Sequence, residues 1–373
     1  MTRATAAILA ARMPSVRLAS ARLAVAAFGT AVLALASSQP AFAQSGAPRP
    51  SAAKPSGVAA PAQKTGVPVA APPDMAYGAF QRGYFLTAFS FATDRVTNGA
   101  DDAKAMTLLG ELYANGLGVP QDDRRAAEWY RLAATHGDSN AMFALAIFAL
   151  NGRAGPRDRD ASTRWLAAAA KLGHPLAAYD LALLYVEGQM FPQDFGRAAE
   201  LLRIAAQGGS ADAQYALGTF YKTGRGVPHD ERQAVQWWAK AAVADNIDAQ
   251  VEYGIALYNG TGVDRDEAAA TALFRKAAMR GSAIAQDRLA RILASGRGAR
   301  RDLAQAAKWH LISRAGGETD LELDDVINKL DAPTRAAAEQ AAKPWLNAID
   351  TLRKAQAAAP QAQQPAPPQA AKR

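Results

Sequence analysis

The chain has 373 residues, no cysteine, and 42 basic against 34 acidic residues for a net charge of +8. Without cysteine it can hold no disulfide framework, thiolate zinc site or cysteine nucleophile. Its basicity sits in its ends: between residues 74 and 354 it has 33 basic and 34 acidic residues, so a basic surface for nucleic acid is unsupported.

In chain order, residues 1–43 read as a secretory signal peptide. An Arg-bearing, acid-free opening leads into the apolar run "LAVAAFGTAVLALA", and "AFA" before Gln44 predicts cleavage after Ala43. The run is shorter than the roughly 18 residues of a spanning helix, so no stable membrane span is expected after cleavage and the mature protein is expected to be periplasmic or secreted. The Arg-bearing opening is long, so Met1 and Met13 are alternative candidate starts. Residues 44–73, rich in Pro and Ala, predict a disordered linker, and residues 355–373 a disordered tail. Residues 74–101 hold two short amphipathic helices, a degenerate opening repeat or cap. Residues 318–354 predict a short helix, then a closing helix that starts at an Asp331 cap with Pro333 in its first turn.

Between them, residues 102–317 repeat six times at a spacing of 36 residues without a gap. One column is always glycine (Gly116, Gly152, Gly188, Gly224, Gly260, Gly296) and another always aspartate (Asp122, Asp158, Asp194, Asp230, Asp266, Asp302). Ala105, Leu109, Leu112 and Tyr113 fall at helical spacing upstream of the first glycine, predicting a first helix with one apolar stripe. The glycine closes it in the left-handed conformation, and the aspartate caps a second helix. Trp129 recurs as Trp165, Trp237 and Trp309, a column expected to lie in the core. Gly137, Gly173, Gly209, Gly281 and Gly317 close the second helix; Asp245 stands in that column in the fourth unit, where an altered exit is expected. The fold predicted is an all-α, right-handed α/α superhelical solenoid of about six helix-turn-helix repeats with capping helices.

The pattern L-G-x-x-Y-x-x-G-x-G-V-x-x-D, then A-x-x-W-x-x-x-A-A-x-x-G, resembles the Sel-1-like repeats, relatives of the tetratricopeptide solenoids. The resemblance covers Asp102 to Gly317; units two and three depart at the second turn glycine, where Ala154 and Met190 stand. It implies an exported bacterial scaffold or adaptor that binds a protein or extended peptide, without cofactor or turnover, and regulates an envelope signalling or assembly process.

Sites for chemistry are scarce. His136, His174, His229 and His310 are scattered with no i, i+4 pairing, and read as solvated or partly packed surface residues rather than metal ligands. The Ser51-x-x-Lys54 pair lies in the linker, and there is no phosphate loop. Binding is better motivated. On the first helices one column set points away from the expected core stripe: Phe143, Ile147 and Leu150; Tyr179, Leu183 and Val186; Tyr215, Thr219 and Lys222; Ile255 and Tyr258, with Val251. Its two ends are more polar, with Thr107 and Glu111 beside Ala114 at one end and Asp287 and Arg291 beside Ala294 at the other. Such a row, read as the inner curve of a solenoid, is the candidate partner-binding site; burial as core is its rival. A glycan- or peptidoglycan-binding role, with Phe143, Tyr179, Tyr215 and Tyr258 stacking on sugars, and a hydrolase acting at the groove stay open as alternatives.

Overall fold

A computed structural model describes residues 74–99 and 101–358. The expected signal peptide, the linker and the tail beyond Ala358 lie outside the described residues. Every regular element among the described residues is a helix, and the fold is an all-α solenoid of about six repeats. The chain divides after Asp158 into two compact units. The first holds α1 (Met75–Gln81), α2 (Phe85–Asn98), α3 (Ala103–Asn115), α4 (Asp123–Thr135) and α5 (Ser139–Asn151). The second holds α6 (Arg159–Lys171), α7 (Pro175–Glu187), α8 (Phe195–Gln207), α9 (Ala211–Thr223), α10 (Glu231–Val243) and α11 (Ile247–Asn259). It continues with α12 (Glu267–Met279), α13 (Ala283–Ser295), α14 (Leu303–Ala315), α15 (Leu321–Asn328) and α16 (Ala332–Ala358). Within each unit a helix packs on its sequence neighbours up to α14, on which both α15 and α16 pack. The closing helix outruns the expected boundary because Ala-rich sequence after Lys354 sustains it to Ala358.

Local signals set the ends of each repeat helix. Asp122, Asp194, Asp230, Asp266 and Asp302 each accept a hydrogen bond from amides in the first turn of the second helix. A second capping column, Asp102, Asp138, His174, Ser210, Asn246 and Ser282, does the same for the first helices. Each cap contributes about 1 kcal/mol. The invariant glycine ends every first helix with φ between 65° at Gly116 and 79° at Gly296. The second turn glycine has a different cause. A Cβ on Gly226 would lie 1.9 Å from the Phe195 carbonyl oxygen, and one on Gly262 would lie 2.7 Å from that of Glu231, so the turn rests on the first turn of the preceding repeat's second helix.

The core differs from expectation by one column. The Trp129, Trp165 and Trp237 side chains are only half-buried, and of that column Trp309 alone is buried. The next column, Tyr130, Leu166, Leu202, Trp238, Phe274 and His310, lies 1–5% exposed throughout. Its room comes from the first helix. Gly110, Gly218 and Gly254 face Tyr130, Trp238 and Phe274, where a Cβ would approach the rings to 2.6–2.9 Å. In the other repeats the same place holds Ala146, Ala182 and Ala290, and the partner is Leu166, Leu202 or His310. Small-against-aromatic and Ala-against-smaller thus conserve the filled volume, as close packing requires.

Asp245 does not alter its repeat's exit. It takes the left-handed φ of 64°, as the glycines of its column do. Aspartate tolerates that region better than most side chains. Here Lys276 pairs with its carboxylate at 2.5 Å and Arg280 donates to its carbonyl.

Candidate binding face

Each first helix carries its candidate side chains between a capping residue and an αL glycine, so the row is fixed by the repeat itself. On α5, in the first unit, Phe143, Ile147 and Leu150 are half-buried. In the second unit the same columns place Tyr179, Leu183 and Val186 on α7, Tyr215, Thr219 and Lys222 on α9, and Ile255 and Tyr258 on α11. Of these, Lys222 is exposed and the rest are half-buried. Tyr215 packs partly against the core of α10, and Ile255 and Tyr258 against the core spanning α11–α14. Val251, in the same column as Tyr215, is core at 4% exposure. The row is therefore sunken: Tyr215, Ile255 and Tyr258 each keep one flank on the core and leave the other to solvent.

Carboxyl groups flank this row, and burial raises the pKa of several. Asp180 on α7 is pushed up to about 6 by burial. Burial also raises Glu111 on α3, Asp248 on α11 and Asp287 on α13; Asp212 adds to the rise at Asp248, while Arg291 opposes that at Asp287. The Tyr179 hydroxyl is held above its usual range by burial and by the nearby Asp212 and Asp180. Each of these carboxyls is partly desolvated on its own first helix, where the charged form is disfavoured. Sequence periodicity found the apolar members and passed over Asp180 and Asp248, whose signal is an acid set among the apolar residues of a first helix.

A cleft of about 90 Å³ opens on this face between α9, α10 and α11. Lys222, Glu231, Trp238, Glu252, Ile255 and Thr261 are among the residues that line it. Lys222 Nζ donates to Glu231 Oε1 at 2.6 Å, which holds the Glu231 carboxyl below its ordinary value. Trp238 is 4% exposed and its Nε1 is buried with no hydrogen-bond partner among the described residues.

Two of the histidines are not surface residues. His174 is 8% exposed and accepts the Ala177 amide through Nδ1, standing in for the Asp, Ser or Asn of its capping column. His310 is 1% exposed because it occupies the interlocking core column, with Nε2 2.8 Å from Asp324. Among the described residues no group of three or more His, Asp or Glu side chains could hold a metal, and no helix is long and apolar enough to cross a membrane.

These features define an all-α helical repeat protein. The Sel1 repeat model matches residues 103–138, 139–174, 175–210, 211–246, 247–282 and 283–317, and the chain belongs to the Sel1 repeat family. Proteins of this family are generally non-catalytic protein-interaction scaffolds. Among solved structures the chain is similar to c5321, a protective antigen present in uropathogenic Escherichia coli strains, with 27% identity and a TM-score of 0.58. That match covers 78% of this chain and 64% of the antigen, so the chain spans less than two thirds of its length. It is also similar to a Sel1 repeat protein from Oxalobacter formigenes, with 28% identity, a TM-score of 0.53, and coverage of 65% of this chain and 98% of that one. No curated protein sequence matches the chain.

Proposed function

We propose that this protein is an exported scaffold or adaptor of the bacterial envelope that holds a protein or extended peptide along the first-helix face, through Tyr179, Tyr215, Ile255 and Tyr258. The observation that carries the reading is the sunken apolar row of the second unit within an unbroken run of Sel1 repeats. A row anchored on one flank is held rigid before a partner arrives, which lowers the ordering cost of binding. Its half-exposed rings match groove recognition of a peptide better than sugar stacking, which needs an open ring face. Export is supported by the signal-peptide pattern before Gln44 and by the description of the E. coli neighbour as a protective antigen.

The test is crosslinking in the native host from positions beside Tyr179 and Tyr215, identification of the attached protein, and titration of that purified partner. Tyr179→Ser with Tyr215→Ser should raise Kd by about tenfold or more, since each half-buried ring contributes about 1 kcal/mol of apolar burial. The melting temperature should hold within a few degrees. Loss of stability with unchanged partner binding would mean that the row serves only its own core. Retention on purified peptidoglycan, competed away by free sugar, would favour the glycan reading instead.

A further inference from the structure

The cleft between α9, α10 and α11 has a counterpart elsewhere in the same chain that is already filled, and the filler identifies its ligand. In the second repeat Arg153, the residue after the αL glycine, reaches back to the preceding repeat. Its guanidinium donates to the Asp123 carboxylate, in the first turn of α4, and to the Ala114 carbonyl near the end of α3. The Phe148 ring lies 4.4 Å beneath it. In the sixth repeat Arg297 makes the same reach to Glu267 at 3.1 Å. In the fourth, Arg225 stands over Phe195, which takes the acid's place in that repeat.

The arginine column alternates, with Leu117, Gln189 and Thr261 in the first, third and fifth repeats, and of these three the fifth alone has an acid, Glu231, in the receiving column, where the third has Arg159. Thr261 replaces the arginine, and Ala256 replaces the ring residue that is Phe148 in the second repeat and Phe220 in the fourth. The receiving residues stay: Glu231 occupies the column of Asp123 and Glu267, and Lys222 the column of Ala114. Both line the cleft, as do Thr261 and Ala256. Glu252 adds a second carboxyl to its wall, and Trp238 a buried indole N–H that lacks an acceptor.

We propose that this cleft binds an arginine side chain of the partner, its guanidinium taking the place that Arg153 and Arg297 fill from within in their own repeats. The partner is then an extended segment with an arginine in register with the apolar row. The planar fork of a guanidinium fits a carboxylate beside a helix-end carbonyl, whereas a lysine offers only a point charge. In the free protein Lys222 neutralises Glu231, so the incoming guanidinium shares or displaces that exposed ion pair at small cost. The inference rests on the reading of this face as a partner-binding surface, and it fixes the partner's chemistry.

The probes are three capped tripeptides, Ala-Arg-Ala, Ala-Lys-Ala and Ala-Glu-Ala, titrated into the full chain while the indole N–H resonance of Trp238 is followed by NMR. Trp238→Phe assigns that resonance. The arginine peptide should move it saturably and more tightly than the lysine peptide. Glu231→Gln and Thr261→Arg should each weaken binding by about tenfold, the scale of one charge-assisted hydrogen bond. Thr261→Arg fills the cleft as its sister repeats do, so its melting temperature should match or exceed the parent's. No saturable shift with the arginine peptide, an equal shift with the glutamate peptide, or an unchanged affinity in Thr261→Arg would each overturn the proposal. If the crosslinked partner binds Thr261→Arg as tightly as the parent, the arginine site falls while the interaction face stands. If the arginine peptide binds but no protein partner depends on Tyr179 and Tyr215, the cleft stands and the scaffold reading falls.

Discussion

Gly218 sits in the middle of α9, where glycine costs a helix about 0.5–1 kcal/mol relative to alanine. Propensity alone therefore predicts that Gly218→Ala stabilises the protein. Packing predicts the reverse, because the new Cβ would lie 2.6 Å from Cδ1 of Trp238, a buried ring that is 4% exposed. Overpacking of this kind costs about 1–3 kcal/mol, so a net loss of about 1 kcal/mol is expected in urea unfolding. The third repeat shows the compensating partner, with Ala182 facing Leu202. Adding Trp238→Leu to Gly218→Ala should thus recover stability relative to the sum of the single changes, with a coupling of about 1 kcal/mol. Strict additivity would mean that the two columns do not interlock. The same pair explains why the core column was misplaced by one residue in the sequence. Both columns lie on one side of the second helix and the Trp129 column is the bulkier, but what decides depth is a glycine twenty residues upstream on another helix.

At the scale of the element, what was legible is what a helix settles within its own span. The aspartate caps, the αL glycines and the period of the repeat are local chemistry, and their columns fixed the turn at each helix end. His174 and Asn246 escaped as caps because their column changes residue type from repeat to repeat while the amide it serves stays the same. The depth of the candidate row was not legible, since periodicity gives the direction of Tyr215 or Val251 and not how closely the next helix approaches. The buried glutamines are a similar case. Gln214, Gln250 and Gln286 each donate across to the second helix of the preceding repeat, at Ala206, Ala242 and Ala278. Asp180 on α7 turns such burial into a measurable property. Its carboxyl is raised from 3.8 to about 6 by desolvation, so between about pH 4 and pH 6 the folded chain binds the proton more tightly than the unfolded one. Stability then falls as pH rises through that window, and the whole cost is present above it. Asp180→Asn should raise stability by about 1–2 kcal/mol at pH 7.5, after allowance for solvent screening of a half-buried group, and leave it unchanged at pH 4. A urea midpoint at pH 7.5 that does not rise would show that the carboxylate is better solvated than its position implies.

At the scale of the molecule, contacts within each compact unit run mainly between sequence neighbours, so stability should be a sum of repeats and their junctions rather than a property of one core. Phe274 on α12 is a sensitive place to ask. It is 1% exposed, fills the space over Gly254, and belongs to the core built from α11 to α14 with Trp309, Leu323 and Ala342. Phe274→Ala removes a buried ring and leaves a cavity, a loss of about 3–5 kcal/mol if the whole chain must unfold together. In a nearest-neighbour array that loss is confined. Amide hydrogen exchange of the variant should speed up across α11–α14 and fade with distance along the chain, while α3 and α4, in the other compact unit, keep the protection of the parent. A uniform rise in exchange, α3 and α4 included, would make the chain one cooperative block. That outcome would also change how the binding face works. In a confined array a partner seated on α7, α9 and α11 stiffens only the repeats it touches, whereas in one block the same partner would raise protection throughout.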